Sequence, residues 1–199
     1  MNDLMIIGDV HGKLNSYYKI ILQEKPEHSI QLGDFGFKKH HDWFLGTMDI
    51  SRHKIVFGNH DYYPYLDKPY SLGDYSTIVL PDGRKLMTIR GAWSIDQNQR
   101  IQGVDWFREE EMSIVEWNGC INVYEQFKPD IVVSHDAPFS INKSFYGIYE
   151  PNRTSMGLDT CFEIHQPAKW IFGHHHKPKT ERVNKCKFTC LGELQFIKI

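Results

Sequence analysis

The first regular element of the chain is specified by Leu4-Met5-Ile6-Ile7-Gly8-Asp9, in which four apolar residues run directly into a glycine and an aspartate. The same arrangement returns at residues 29–34, which end in Gly33-Asp34, and at residues 53–59, which end in Gly58-Asn59. Short apolar runs that end in turn residues predict buried β-strands. A helical spacing over residues 14–24 and a weaker one over 41–50 complete a β-α-β-α-β pattern, which predicts parallel strands.

The rest of the chain predicts further strands and helices. A Pro-Asp-Gly turn at residues 81–83 should join the strands 75–80 and 85–90 into a hairpin. Hydrophobic spacing predicts helices over 105–117, 119–127 and 159–166, strands over 130–133 and 169–172, and closing antiparallel strands between 179 and 199. Because no linker, repeat or low-complexity tract interrupts the sequence, we expect one domain over residues 1–199.

Composition narrows the functional classes. The 199 residues are 41% hydrophobic and 24% charged, as in ordinary soluble domains, and the formal net charge is −2. That charge gives no strong nucleic-acid signal. No run approaches the roughly 20 apolar residues of a membrane span, and the N-terminal apolar run is too short for a signal peptide. We therefore predict a cytoplasmic protein without a membrane partner, and the oligomeric state stays open.

The four cysteines do not form a CxxC pair, and two of them lie in the predicted strand near residue 188. A separation of four along a strand places Cys186 and Cys190 on one face but about 13 Å apart. The sequence therefore favours half-buried thiols over a disulfide or a zinc site.

Polar side chains follow the carboxyl ends of the predicted strands, which is the edge where open α/β sheets bind ligands. The candidates are Asp9, His11, Asp34, Asn59, His60, His135, His174 and His176. Without His60 they offer two carboxylates, one amide oxygen and four imidazoles, a set that suits Mn, Fe, Zn, Co, Ni or Mg. One ion needs only four to six ligands, so two ions about 3.5–4 Å apart with a bridging carboxylate would use them all.

Each motif alone also has an ordinary structural interpretation. Gly-Asp commonly marks a turn, and a single histidine is more often a satisfied core or surface residue than a ligand. Gly58-Asn59-His60-Asp61 is more informative, because polar groups at the end of a buried strand are costly unless they are paired. All the motifs at strand ends, in this order, favour metal binding.

Five motifs together resemble the signature of the calcineurin-like metallophosphoesterases: Asp9-Val10-His11, Gly33-Asp34, Gly58-Asn59-His60-Asp61, Ser134-His135 and Gly173-His174-His175-His176. The resemblance implies an α/β fold, a four-layer α/β/β/α sandwich with two mixed β-sheets and the metal site at the C-terminal edge of the strands. It also implies roles for individual residues. Asp9, His11 and His176 would hold one metal ion, and Asn59, His135 and His174 a second, with Asp34 as the bridge. His60 would lie beside the scissile phosphate, oriented by Asp61.

Physical chemistry supports those roles. Two divalent ions make a bridging hydroxide available near neutral pH and neutralise phosphate oxygens during its attack on the ester. The leaving alkoxide then needs a proton. A histidine beside the metal ions and hydrogen-bonded to Asp61 suits that task, so we assign His60 as the general acid.

The second and third motifs limit the classes of substrate that we expect. Protein Ser/Thr phosphatases of this superfamily carry an arginine in the second motif, which Gly33-Asp34-Phe35-Gly36 lacks, and a glutamate where Asp61 stands. The chain is more similar to small bacterial and phage-type members. The leading hypothesis is a hydrolase of a small phosphodiester or nucleotide, with two divalent ions, manganese first. Phosphomonoesterase or protein phosphatase activity is the alternative, and a non-catalytic metal-binding scaffold is the alternative from another class.

Two further residues are candidate substrate contacts. Tyr62 begins a tyrosine-rich loop after the third motif, where an aromatic face would stack a nucleobase. The interpretation that we favour is that these tyrosines pack the loop onto the core. Arg100 follows the segment 91–96, and it would either clamp a phosphate with two hydrogen bonds or form a surface salt bridge.

Overall fold

The structure, a computed structural model, describes residues 4–199, in which ten strands form two sheets and five α-helices cover them. The strand orders are β10-β1-β2-β3 in the first sheet and β4-β5-β6-β7-β9-β8 in the second. The strands are β1 (Leu4–Ile7), β2 (His28–Gln31), β3 (His53–Ile55), β4 (Tyr75–Val79), β5 (Lys85–Ile89), β6 (Ile131–Ser134), β7 (Lys169–Phe172), β8 (Lys179–Val183), β9 (Cys186–Cys190) and β10 (Phe196–Lys198). The helices are α1 (Leu14–Glu24), α2 (Lys38–Thr47), α3 (Ile114–Phe127), α4 (Phe139–Tyr146) and α5 (Arg153–Ile164).

Both sheets are mixed. Strands β1, β2 and β3 are parallel, and β10 pairs with β1 in the opposite direction. In the second sheet β5, β6, β7 and β9 are parallel, whereas β4 and β8 are antiparallel edge strands. The parallel strands of each sheet therefore end at one common edge, which we call the site edge.

The apolar core has three parts, one between the two sheets and one between each sheet and its helices, because the central strands are buried on both faces. Met5 and Ile7 of β1 pack with α1 and α2, while Leu4 and Ile6 face the second sheet. This alternation follows from the two-residue period of a strand. The other face of the second sheet packs against α3, α4 and α5, with Trp170 at its centre. The predicted α/β/β/α sandwich with two mixed sheets is confirmed.

The predicted helix over 119–127 is confirmed as part of a longer helix, but the predicted start at 105 and the predicted break after 117 are wrong. One helix, α3, runs from Ile114 through Gly119 to Phe127, and only a short 3₁₀ turn, Arg108–Glu110, precedes it. The start is set by a capping box, because the Ser113 hydroxyl accepts from the backbone N–H of Glu116, whose carboxylate accepts from that of Ser113. Ser113-x-x-Glu116 is the sequence signal for such a cap.

Smaller differences concern the ends of elements. Helix α2 covers 38–47 rather than 41–50, and α5 begins at Arg153 because Asn152 caps it. Helix α4 was not predicted. The closing strands are antiparallel within the pairs β8–β9 and β10–β1, but β9 also pairs in parallel with β7. The four cysteines are fully buried free thiols rather than half-buried ones.

Of the helices in residues 4–199, none combines the length and the apolar character that crossing a bilayer requires.

Two helical glycines should respond in opposite ways to alanine. A Cβ on Gly157 of α5 would collide with the Trp117 ring of α3, whereas one on Gly46 of α2 would meet open space. We expect Gly46→Ala to stabilise the protein by about 0.5–1 kcal/mol through helix propensity. We expect Gly157→Ala to destabilise it by about 1–3 kcal/mol through overpacking. Urea denaturation measures both, and a stabilising Gly157→Ala would contradict the close packing of α3 on α5.

Candidate metal centre

The candidate ligands meet at the site edge, although they come from both sheets. Asp9, Asp34 and Asn59 follow β1, β2 and β3 of the first sheet, while His135 and His174 follow β6 and β7 of the second. Two groups have ligand atoms that all lie within 4.8 Å of one another: Asp9, His11, Asp34 and His176 in one, and Asp34, His135 and His174 in the other. Asp34 belongs to both groups, as a bridging ligand would.

The first group turns two imidazoles toward two carboxylates. His11 Nε2 lies 2.8 Å from His176 Nε2 and 3.7 Å from Asp34 Oδ2. His176 Nε2 also lies 2.9 Å from Asp9 Oδ2. Lone pairs and negative charge thus converge on one small volume, and a cation suits such a set.

In the second group a hydrogen bond orients the His135 ring. Its Nδ1 donates to the carbonyl oxygen of Leu32 at 2.8 Å. The other nitrogen, Nε2, then lies 3.2 Å from both Asp34 Oδ1 and Asn59 Oδ1. Metal-binding histidines are commonly held in this way, with one ring nitrogen on a backbone carbonyl.

His174 supplies the observation that fits a metal ion best. Its Nδ1 is buried and has no hydrogen-bond partner within residues 4–199. Buried polar atoms nearly always have a hydrogen-bond partner, so a metal ion would supply the partner that this nitrogen lacks within residues 4–199. Burial also lowers the pKa of His174 to about 4, which keeps the ring neutral and its lone pair free for a cation.

The group around Asp34 also requires positive charge. Burial alone would lower the pKa of His135, but the neighbouring Asp34 carboxylate outweighs it and raises that pKa to about 10. Burial opposes ionisation of Asp34 as well, yet His135 holds the Asp34 pKa well below its usual range. A divalent ion would supply the same charge and displace the imidazolium proton.

The backbone is strained where the ligands are. Positive φ angles occur at four of the candidate ligands: His11 (46°), Asp34 (54°), His174 (64°) and His176 (52°). Each left-handed residue other than glycine costs about 1–2 kcal/mol. Strain of this kind is typical of functional sites.

The glycines of the motifs allow a close approach. A Cβ on Gly58 would collide with the Asp34 carboxylate and the His135 ring, and one on Gly173 would collide with the Asp9 carboxylate. A Cβ on Gly33 would likewise collide with the His135 ring. Gly33-Asp34, Gly58-Asn59 and Gly173-His174 therefore work as pairs, in which the glycine makes room for a ligand that follows a different strand.

The structure does not support the predicted hydrogen bond between Asp61 and His60. The buried Asp61 carboxylate accepts from the backbone N–H groups of Gly58 (2.7 Å), Asp34 (2.8 Å) and Gly36 (3.0 Å). Its fourth partner is Nε2 of His41, at 3.1 Å. Asp61 thus fixes the loops that carry the ligands instead of orienting His60.

His60 lies beside both groups but belongs to neither. Its backbone N–H donates to Asp34 Oδ1 at 2.8 Å, and its half-buried ring lies 5.6 Å from the His11 ring, centre to centre. Burial lowers the pKa of His60. The role of His60 as general acid stays a prediction.

The two predicted substrate contacts differ in what surrounds them. The Arg100 side chain is only 7% exposed, and its donors are used by Asn59, Ser94, Asp96, Asp105 and Glu110. Arg100 thus forms a buried ion pair with Glu110, where a phosphate clamp or a surface salt bridge was expected. Tyr62 is half-buried and packs edge-on against Tyr65 and Phe107.

The packing alternative is confirmed for the buried Tyr63 and Tyr70. A substrate contact by Tyr62 or Arg100 stays a prediction.

Sequence reasoning missed the residues that hold the last motif in place. Asp136 Oδ1 accepts from Asn142 Nδ2 at 2.9 Å and lies 3.2 Å from His175 Nε2, while the Tyr146 ring lies 4.3 Å from that of His175. Asp136 and His175 are visible within the motifs, but their partners lie on α4, which was not predicted. Together they anchor the loop that carries His174 and His176.

Comparisons with known proteins agree with this geometry. The family model described as calcineurin-like phosphoesterase matches residues 3–178. No protein among the curated ones matches the chain in sequence.

Solved structures share the fold at low identity. The phosphopantetheinyl hydrolase of Mycobacterium tuberculosis is 13% identical with a TM-score of 0.56, over 96% of this chain and 89% of that one. GAP50, described as the anchor in the inner membrane complex of Plasmodium, is 14% identical with a TM-score of 0.52, over 96% and 72%.

Replacing Asp61 tests whether it fixes the loops. Asp61→Asn puts an amide donor where backbone N–H groups now donate, which leaves buried donors unpaired. We expect the free energy of unfolding to fall by about 2 kcal/mol or more, measured by urea denaturation of chelator-treated protein. His60→Asn is the matched control and should change stability little. An unchanged unfolding midpoint for Asp61→Asn would contradict this role.

Proposed function

Because the chain belongs to the calcineurin-like phosphoesterase family, we propose that it is a two-metal phosphohydrolase that acts on a small phosphodiester or nucleotide phosphate ester. The observation that carries the proposal is the position of Asp34 in both ligand groups. A carboxylate shared by two such groups is the arrangement that two-metal hydrolases use.

In this proposal Asp9, His11 and His176 hold one ion with Asp34, and Asn59, His135 and His174 hold the other. Two observations support the second set: Nδ1 of His174 has no hydrogen-bond partner in the described part of the chain, and the His135 ring is bound to a backbone carbonyl. Nitrogen and carboxylate ligands without a thiolate suit manganese, and equally iron, zinc, nickel, cobalt or magnesium. When bound, the ions supply hydroxide near neutral pH and neutralise phosphate charge.

The protein's own residues complete the chemistry. His60 donates a proton to the leaving oxygen, since its ring lies beside the ligand groups without belonging to them. The backbone N–H of His60 binds Asp34 Oδ1 and so ties this ring to the bridging carboxylate. Asp61 holds the loops of Asp34 and Asn59 at a fixed separation, which keeps the reacting groups in register.

The substrate class is supported by exposed apolar side chains that follow Ser94 in the chain. Ser94 is hydrogen-bonded to Asn59, and the residues that follow it include the exposed Ile95 (85%), Ile101 (64%) and Val104 (59%). Exposed apolar side chains beside a binding site favour a ligand with an apolar part. A nucleoside or another aromatic ester group would meet this requirement.

Hydrolysis of two model esters tests the proposal. With added manganese we expect bis-p-nitrophenyl phosphate to be hydrolysed faster than p-nitrophenyl phosphate, and chelation to abolish both reactions. Asp34→Asn should lower the rate at least ~100-fold, since even outer-shell losses cost up to that much. Metal-dependent preference for the monoester would favour the phosphomonoesterase alternative. Absence of metal-dependent turnover would overturn the proposal in favour of a scaffold.

The role of His60 is tested by the leaving group. His60→Ala should lower kcat for an alkyl phosphodiester, a poor leaving group, by about 10²–10⁴-fold. The same variant should lose far less on bis-p-nitrophenyl phosphate, because p-nitrophenolate leaves without protonation. Equal losses on both esters, or normal turnover of the alkyl ester, would contradict a general-acid role.

A further inference from the structure

Asn59 has an amide whose two ends must be told apart. Its Oδ1 lies 3.2 Å from His135 Nε2, on the side of the ligand groups, while its Nδ2 donates to Ser94 Oγ at 3.0 Å. Only the oxygen can bind a cation, and rotation of the amide by 180° would present a nitrogen that carries protons instead. Whatever fixes this rotation therefore decides whether Asn59 is a ligand.

Ser94 fixes the rotation of the Asn59 amide, because the Ser94 hydroxyl proton is already used in a hydrogen bond to Glu110. Ser94 Oγ donates to Glu110 Oε2 at 2.5 Å and accepts from Arg100 Nη1 at 2.6 Å. Toward Asn59 it can act only as an acceptor, so it must meet the NH₂ end of the amide.

Glu110 and Arg100 maintain that polarity. Glu110 Oε1 accepts from Arg100 Nη2 at 2.9 Å and from the backbone N–H of Phe107 at 3.2 Å, so the carboxylate acts throughout as an acceptor. Arg100 Nη2 also donates to the carbonyl oxygen of Asn59 at 2.8 Å, which fixes the backbone of the same residue. Ser94 and Glu110 are both 2% exposed, so water does not compete for these bonds.

We propose that Ser94, Glu110 and Arg100 form a positioning relay that orients the Asn59 amide with its oxygen toward the second metal ion. This inference rests on the two-metal function proposed above and deepens it by assigning three residues that hold a ligand without binding the ion. The relay comes from the segment 94–110, outside the five motifs.

A double-mutant cycle on metal affinity tests the relay. Ser94→Ala removes the acceptor, so the amide of Asn59 can turn, and the affinity for one of two Mn²⁺ ions should fall about 10–100-fold. Asn59→Asp makes the orientation irrelevant, since a carboxylate presents an oxygen either way. In the Asn59→Asp background, Ser94→Ala should therefore change the Mn²⁺ affinity by no more than about twofold.

The measurement is equilibrium dialysis with metal analysis at pH 8, above the pKa of about 7 to which burial raises Glu110. Thr88→Val is the matched control, because it removes a buried hydroxyl that has no partner in residues 4–199, and it should leave both ions bound. Glu110→Gln gives a second route. Its amide can donate to Ser94 and free the serine proton for Asn59 Oδ1, so it should weaken the same ion.

Equal effects of Ser94→Ala in both backgrounds would overturn the relay and leave only a packing role for Ser94. Wild-type affinity for both ions in Ser94→Ala and Glu110→Gln would overturn it as well, and so would uptake of fewer than two ions by the wild type. Failure of the proposed hydrolytic activity alone would give a different result. The wild type would bind two ions and Ser94→Ala would bind one of them more weakly, while neither ester is hydrolysed.

Discussion

The four hydrogen bonds that the Asp61 carboxylate accepts are the interaction on which the rest of the site depends. They join the ends of β2 and β3 to helix α2 through Gly58, Asp34, Gly36 and His41. A buried carboxylate is stable only when such donors surround it, and here the donors belong to the loops that carry the candidate ligands. The same bonds that make Asp61 tolerable thus set the separation between Asp34 and Asn59.

Several features of the candidate metal centre around Asp61 are energetically unfavourable in the folded chain. Left-handed backbone at four candidate ligands and a buried nitrogen of His174 that has no partner within residues 4–199 each cost free energy. A divalent cation would accept the lone pair of His174, neutralise the carboxylates and gain from the fixed geometry of the ligands. Binding of such a cation would therefore add to the stability of the folded chain.

The sequence predicted the parallel strands and the convergence of the ligand residues, because a strand, a glycine and a ligand are adjacent in the chain and their pattern is local. The sandwich was predicted from the family resemblance that the same motifs carry. It failed for Asp61, whose partners are mostly backbone amides 3 to 27 positions away, and amides carry no residue-type signal. It also failed for Glu110, which lies in a segment predicted as helix, and for Asp136, whose partner Asn142 lies on an unpredicted helix.

The division of the site between two sheets has a mechanical consequence. The first sheet supplies Asp9, Asp34 and Asn59, and the second supplies His135, His174 and His176. Along the site edge the His174 backbone N–H and the His176 ring already reach across to Asp9. At the opposite edge an apolar cleft of about 1200 Å³, lined by Leu4, Ile30 and Ile78, separates the same sheets. The two sheets are thus joined directly along the site edge and separated at the opposite edge. Cations bound at the site edge would hold the two sheets together.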